Sequence, residues 1–189
     1  MVDANRTMNL TRITDPVEAA IKHYADSLAL LPWAAAVGLG EVTLLDIGTG
    51  AGFPAVPLAV MRPDWSITAI DGTRKKADFV ARVAAEIGMS NLRVEHGHSD
   101  HWRSHRRFDL VATRGVAPLA RCIQWARPHL VAGGRLAAYK TADMAPEELA
   151  GAEKAAKQWR MRIEPPYNYE LKLAGERLSR TMQAAIAVE

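Results

Sequence analysis

Two spacings of apolar residues alternate along this chain. Short β-branched or aliphatic runs read as strands over Thr43 to Ile47, Ser66 to Asp71, Leu92 to His96, Phe108 to Thr113, Arg135 to Lys140, Met161 to Tyr167 and Thr181 to Val188. Between them, longer runs carry apolar residues at helical spacing, roughly Pro54 to Met61, Arg74 to Ile87, Pro118 to Leu130 and Pro146 to Trp159. This alternation builds a mostly parallel sheet covered by helices on both faces, so the expectation is a doubly wound α/β fold of seven strands. Gly88 and the pair Gly133 and Gly134 fall where helix ends call for a left-handed residue. Val17 to Val37 is an amphipathic helical stretch, broken at Pro32, that packs beside the sheet. The two terminal strands follow the last helix and suggest a hairpin at one sheet edge. One domain over 1–189 is expected, with a helical extension over 1–40 and the sheet-bearing core over 41–189.

Composition narrows the setting more than the chemistry. A chain of 189 residues can bury a sizeable core unaided, and its one cysteine, Cys122, allows neither an intramolecular disulfide nor a cysteine metal site. The first residues are polar, with no signal-peptide pattern, and no apolar run is long enough for a bilayer. A cytoplasmic protein without a membrane partner is expected. A net charge of +3 and a pI near 9.2 permit contact with an anionic polymer but do not select one.

The strongest chemical signal is LLDIGTGAGFP, a strand ending near Asp46 followed by Gly48, Gly50 and Gly52, with Pro54 opening a helix. Glycines at such a turn permit positive φ and close approach of a ligand, and the following helix presents unpaired N–H groups. A dinucleotide fingerprint would read G-x-G-x-x-G; here the third glycine comes sooner and an acid stands just before the first. That form suits S-adenosylmethionine, with Asp46 organising the turn near the methionyl ammonium. Asp71, closing the second strand, is placed to accept both ribose hydroxyls. The alternatives at this point are a plain tight turn with Asp71 as a helix cap before Gly72 and Thr73, and NAD binding.

Together with MNLTRITDP, KHYADS, IDGTRKKADFV, VATRGVAPL, AAYK and GERLSR, the loop makes the chain resemble the bacterial glucose-inhibited-division protein B family, the small-subunit ribosomal RNA guanine-N7 methyltransferases. The resemblance covers nearly the whole chain and implies a class I S-adenosylmethionine-dependent methyltransferase with a Rossmann-like core, acting on guanine N7 of 16S ribosomal RNA. It implies cofactor contacts at Gly48, Phe53, Ser99, Asp100 and Arg114, and a partner that is ribosomal RNA or the small ribosomal subunit; a monomer is expected. RNA contacts are placed at Arg74, Lys75, Lys76, Arg114, Lys140 and Arg177, with Arg114 donating to the cofactor on one side and to RNA on the other. The chain departs from the family pattern at Ala55, His98, Ser99 with Asp100, and Thr141, and its segment before Asn9 looks short for the family.

Further clusters have plainer readings. The stretch HGHSDHWRSH gathers His96, His98, His101 and His105, but reads as a polar loop beside the cofactor and not as a metal site. Trp102 and Tyr139 are candidates to lie near a flipped base. No general base is expected, because guanine N7 carries a free lone pair and loses no proton. A methyltransferase acting on a small molecule or protein, or an NAD-binding dehydrogenase, stands as the alternative.

Overall fold

The computed structural model describes residues 5, 8, 10–173 and 175–188; Asn9 lies outside them. Among these residues the strands are β1 (Thr43–Ile47), β2 (Ser66–Asp71), β3 (Leu92–His96), β4 (Phe108–Arg114), β5 (Leu130–Thr141), β6 (Met161–Ile163), β7 (Tyr167–Leu173) and β8 (Glu176–Ala187). They form one sheet of order β3-β2-β1-β4-β5-β8-β6, with β7 paired to β8. The first five are mutually parallel, and β8 runs antiparallel to β5, β6 and β7.

The central strands read as near-continuous aliphatic runs because both of their faces are covered. Leu44 and Leu110 point into one core with Trp33, Leu58, Phe79 and Val80. Leu45 and Val111, one residue further on, point into the other with Leu119, Ile123, Ala152 and Ala156. Helices Leu30–Ala36, Ala55–Met61 and Arg74–Glu86 therefore cover one face, and Leu119–Ala126 and Pro146–Gln158 the other. This is the doubly wound α/β arrangement.

Four details differ from the sequence expectation. The run from Met161 to Tyr167 is two strands, since Pro165 and Pro166 offer no N–H to a ladder and separate β6 from β7. The sheet thus has eight strands among the described residues. The chain end is more than an edge hairpin: the first half of β8 pairs with β7, and the second half lies between β5 and β6. Gly133 (φ 73°) belongs to a kink inside β5, where pairing with β4 shifts between Phe108 and Leu110; Gly88 (φ 69°) does end its helix. Finally, Pro32 sits inside Leu30–Ala36, and the interruption falls a turn earlier at Ala29, because proline removes the donor owed to the preceding turn. Upstream, Asp15 caps Pro16–Ala19 through the Glu18 amide (2.7 Å), and the helix continues as a π-helical segment, Ala20–Ala25, then Asp26–Leu28.

Candidate active site: two adjoining clefts

At the carboxyl edge of the sheet, where the turns after β1, β2 and β4 converge, lies a cleft of about 540 Å³. Gly48, Gly50 and Gly52 all have positive φ (79°, 60° and 97°). The amides of Gly48 and Thr49 both donate to the Ile70 carbonyl (2.9 and 3.0 Å), folding the loop back against β2. Asp71 completes the turn: its Oδ2 accepts the Gly50 amide (2.9 Å) and its Oδ1 the Thr73 amide (2.8 Å). The capping contacts are therefore present, and they do not remove the side chain from the cleft wall. Each oxygen keeps acceptor capacity beyond its backbone donor, and Asp71 lines the cleft.

At Gly48 a side chain is excluded twice, by the left-handed φ and by Val116, whose Cγ1 would stand 2.4 Å from an added Cβ. Gly48→Ala should destabilise by about 2 kcal/mol and displace Val116 into the cleft. Urea denaturation checks this, and adding Val116→Ala should recover the steric part while leaving the backbone strain. A Gly48→Ala protein as stable as the parent would contradict it.

Of the residues expected at the cofactor, Gly48, Gly50, Phe53, Asp71, Ser99 and Arg114 line this cleft, whereas Asp46, Gly52 and Asp100 do not. Gly52 serves packing, since a Cβ there would meet Val56 at 2.8 Å. Asp46 lies fully buried below the loop, and neither carboxylate oxygen has a hydrogen-bond partner, so it does not organise the turn through such bonds. Asp100 is turned toward helix Leu119–Ala126, where its Oδ1 accepts from the Trp125 indole (2.9 Å) and from Arg121. The indole, aided by Arg121, holds its carboxyl below the usual range. Two donors on one helix account for Asp100 lining a separate hollow with Arg121 and Gln124.

Arg114 shows the largest difference from expectation. Its Nη1 donates to the carbonyls of Lys22 and His23 (both 3.2 Å) and to Asp26 Oδ2 (3.1 Å), and its Nη2 donates to His23 Nδ1 (2.9 Å). The fork is thus directed at the N-terminal helix, where the π-helical turn brings these acceptors together. With Nδ1 accepting, the His23 proton sits on Nε2 and is donated to Thr11 Oγ1 (2.8 Å). Burial, then the Arg114 charge, lowers the His23 pKa, in keeping with a neutral ring. That ring stacks on Phe53 with centroids 4.8 Å apart.

Behind this network a second cleft of about 450 Å³ shares His23, Arg114 and Gly115 with the first. Lys140 and Tyr139 line it, with the Tyr139 hydroxyl donating to the Ser27 carbonyl (2.6 Å). Lys22, Asp26, Glu148 and Arg180 add charged groups to the lining, beside Thr141. None of these four was singled out as a site residue in the sequence; KHYADS held the signal for His23 and Asp26. The remaining cations disperse. Lys76 lines the first cleft, whereas Arg74, Lys75 and Arg177 line neither; Arg74 approaches Asp78 at 3.7 Å and Arg177 pairs with Glu170 at 3.3 Å. Trp102 is a core residue, its indole donating to Glu95 (3.0 Å) and its ring against His129, so it does not face either cleft. Among the described residues, no three His, Cys, Asp or Glu side chains converge as metal ligands, and no helix is long and apolar enough to cross a membrane.

The profile of the family described as GidB: rRNA small subunit methyltransferase G matches residues 1–169. A Solibacter usitatus protein named ribosomal RNA small subunit methyltransferase G is 40% identical over 171 residues, which is 90% of this chain and 79% of that protein. A Thermosynechococcus vestitus protein of the same name is 40% identical over 147 residues, 74% of this chain and 63% of its own length. In fold, the chain is similar to a SAM-dependent methyltransferase of Methanosarcina mazei, with a TM-score of 0.65 over 83% of this chain and 97% of that one at 15% identity. A profile match over most of the chain, relatives of this identity and a sheet of the methyltransferase type place the protein in one family: the chain belongs to the GidB family, rRNA small subunit methyltransferase G.

Proposed function

We propose that this chain is an S-adenosylmethionine-dependent methyltransferase that modifies guanine N7 in 16S ribosomal RNA, on the small subunit or its RNA, as a cytoplasmic monomer. The observation that carries the proposal is the pair of adjoining clefts: one built on a glycine turn closed by Asp71, the other beside it across His23, Arg114 and Gly115. Residues 1–189 are read as one catalytic unit in which the N-terminal helical segment walls both clefts.

The first cleft fits S-adenosylmethionine in size and in its donors and acceptors. Asp71 has acceptor capacity for a ribose diol, the glycine loop exposes backbone to an amino-acid end, and Ser99 adds a hydroxyl. Bound there, S-adenosylmethionine supplies an electrophilic methyl group on sulfur. The residues of the chain hold, align and exclude water, because guanine N7 already carries its lone pair and releases no proton. No side chain is needed as a base.

Transfer of labelled methyl groups to small subunits from cells lacking this protein, followed by mapping of N7-methylguanine, tests the proposal. Asp71→Ala is expected to weaken S-adenosylhomocysteine by about 1.5 to 3 kcal/mol, the scale of hydrogen bonds to a charged group, read by calorimetry. An unchanged affinity would remove Asp71 from the cofactor site. Thermal stabilisation by NAD and not by S-adenosylhomocysteine would remove the function itself.

A further inference from the structure

The second cleft holds an ion pair that is only partly used. Lys140 Nζ donates to the Ala117 carbonyl (2.8 Å) and to Glu148 Oε1 (2.7 Å). The same Oε1 accepts the amide of Leu119 (2.9 Å), the first residue of helix Leu119–Ala126. An ammonium has three protons, so one on Lys140 is left over. Among the described residues Glu148 Oε2 accepts no hydrogen bond. The pair is fixed by two backbone groups, both side chains line the cleft, and one donor and one acceptor oxygen remain unengaged. The bond from Lys140 holds the Glu148 carboxyl below its usual range, so the acceptor is an anion at neutral pH.

A donor beside an acceptor selects among bases by their edges. Guanine presents O6, an acceptor, next to N1–H, a donor, which matches. Adenine presents the reverse, an amino group next to an unprotonated N1, and cytosine does likewise. Uracil also matches, but both of its ring nitrogens are substituted or protonated, so it offers no nitrogen lone pair to a methyl donor. Guanine held by O6 and N1–H leaves N7 free beside O6, in a cleft that shares His23, Arg114 and Gly115 with the first.

We propose that Glu148 and Lys140 are the base-reading pair of this enzyme: Glu148 Oε2 accepts N1–H of the target guanine, and Lys140 donates its remaining proton to O6. The inference rests on the methyltransferase function proposed above and adds which groups choose the base. Arg180 and Lys22, in the same cleft, are cations suited to the phosphates on either side of an extruded nucleotide.

Binding of free nucleotides tests the pair apart from catalysis. Saturation-transfer NMR on the full chain, saturated with S-adenosylhomocysteine, compares 5′-GMP, 5′-IMP and 5′-AMP. IMP keeps O6 and N1–H and lacks only the 2-amino group, so it should bind within about twofold of GMP, while AMP should bind about tenfold more weakly. Glu148→Gln keeps the size and a carbonyl for Lys140 and Leu119 but turns an amide donor toward N1–H. It should reduce GMP to the level of AMP with the S-adenosylhomocysteine affinity unchanged. Equal binding of AMP and GMP by the parent protein overturns the proposal without any variant. So does IMP binding tenfold below GMP, failure of all three to bind, or a Glu148→Gln protein that still prefers GMP. If GMP preference is present and small subunits receive no methyl group, the methyltransferase function fails and the base-reading pair stands.

Discussion

Arg114→Ala is expected to cost about 3 to 5 kcal/mol of folding stability, the range for removing one partner of a buried ion pair. The side chains of Arg114 and Asp26 are 16% and 10% exposed, so neither charge has much water to fall back on. Alanine would leave His23 Nδ1 and one oxygen of Asp26 without their donor and take one donor from the carbonyls of Lys22 and His23, the latter still held by the Ser27 hydroxyl. Tyr169 would still donate to the other oxygen of Asp26 (2.8 Å), which keeps the loss toward the lower end. For a chain of this size the melting temperature should fall by about 10 °C. Arg114→Lys should fall in between, since one ammonium cannot reach the ring nitrogen of His23 and the carboxylate of Asp26 in the planar arrangement that arginine uses. Calorimetric or urea unfolding decides the matter. An Arg114→Ala protein within about 1 kcal/mol of the parent would mean that the N-terminal helix is not held by this residue. Because Arg114 also walls both clefts, methyl transfer by the lysine variant is to be compared at a temperature where both proteins are folded.

What local sequence carries was legible, and what depends on distant segments was not. The bounds of β1, β2 and β3 follow from buried aliphatic runs ended by turn residues, and the observed strands begin and end where those runs do. The glycine turn was legible for the same reason, since its geometry lies within a few consecutive residues. By contrast, Arg114 and Asp26 stand 88 residues apart, and only the folded chain shows that the arginine faces the N-terminal helix. The second cleft is assembled from the N-terminal segment, β5, β8 and helix Pro146–Gln158, and no spacing in the sequence brings Lys140 and Glu148 to Ala117 and Leu119. Asp100 was misplaced because a carboxylate after β3 looks available until the donors of Trp125 and Arg121 are known. The apolar pattern from Met161 to Tyr167 is continuous, and only the missing N–H donors of Pro165 and Pro166 divide it into β6 and β7.

The contribution of Asp46 to stability should fall as pH rises from about 4 to about 7. Its side chain is fully buried in β1, and neither oxygen has a hydrogen-bond partner. Burial pushes its pKa up from the ordinary 3.8 to about 7, outweighing the lowering by the Thr49 hydroxyl and Ala55 amide, which lie near but outside hydrogen-bond geometry, and by the Arg114 charge. The folded chain therefore keeps this proton to higher pH than the unfolded chain does. Below about pH 4 both states are protonated and the contribution is fully present. Through the window up to about 7 the unfolded carboxyl ionises first, and stability is lost at about 1.4 kcal/mol per pH unit, on the order of 4 kcal/mol in all. Above that window the loss levels off, because both states are then ionised. Asp46→Asn has no proton to lose, so its stability should not share this decline. Between about pH 5 and pH 8 the gap between variant and parent should move in favour of the variant by about 3 kcal/mol. Groups such as His129, whose pKa burial lowers to about 4, titrate alike in both proteins and cancel in the difference. Urea unfolding of the two proteins at both pH values measures it, and parallel pH profiles would show that Asp46 is ionised in the fold or paired there. A carboxyl about half protonated near neutrality is also a weaker anchor for an ammonium than a full carboxylate, which agrees with Asp46 lying beneath the glycine loop and outside the cleft.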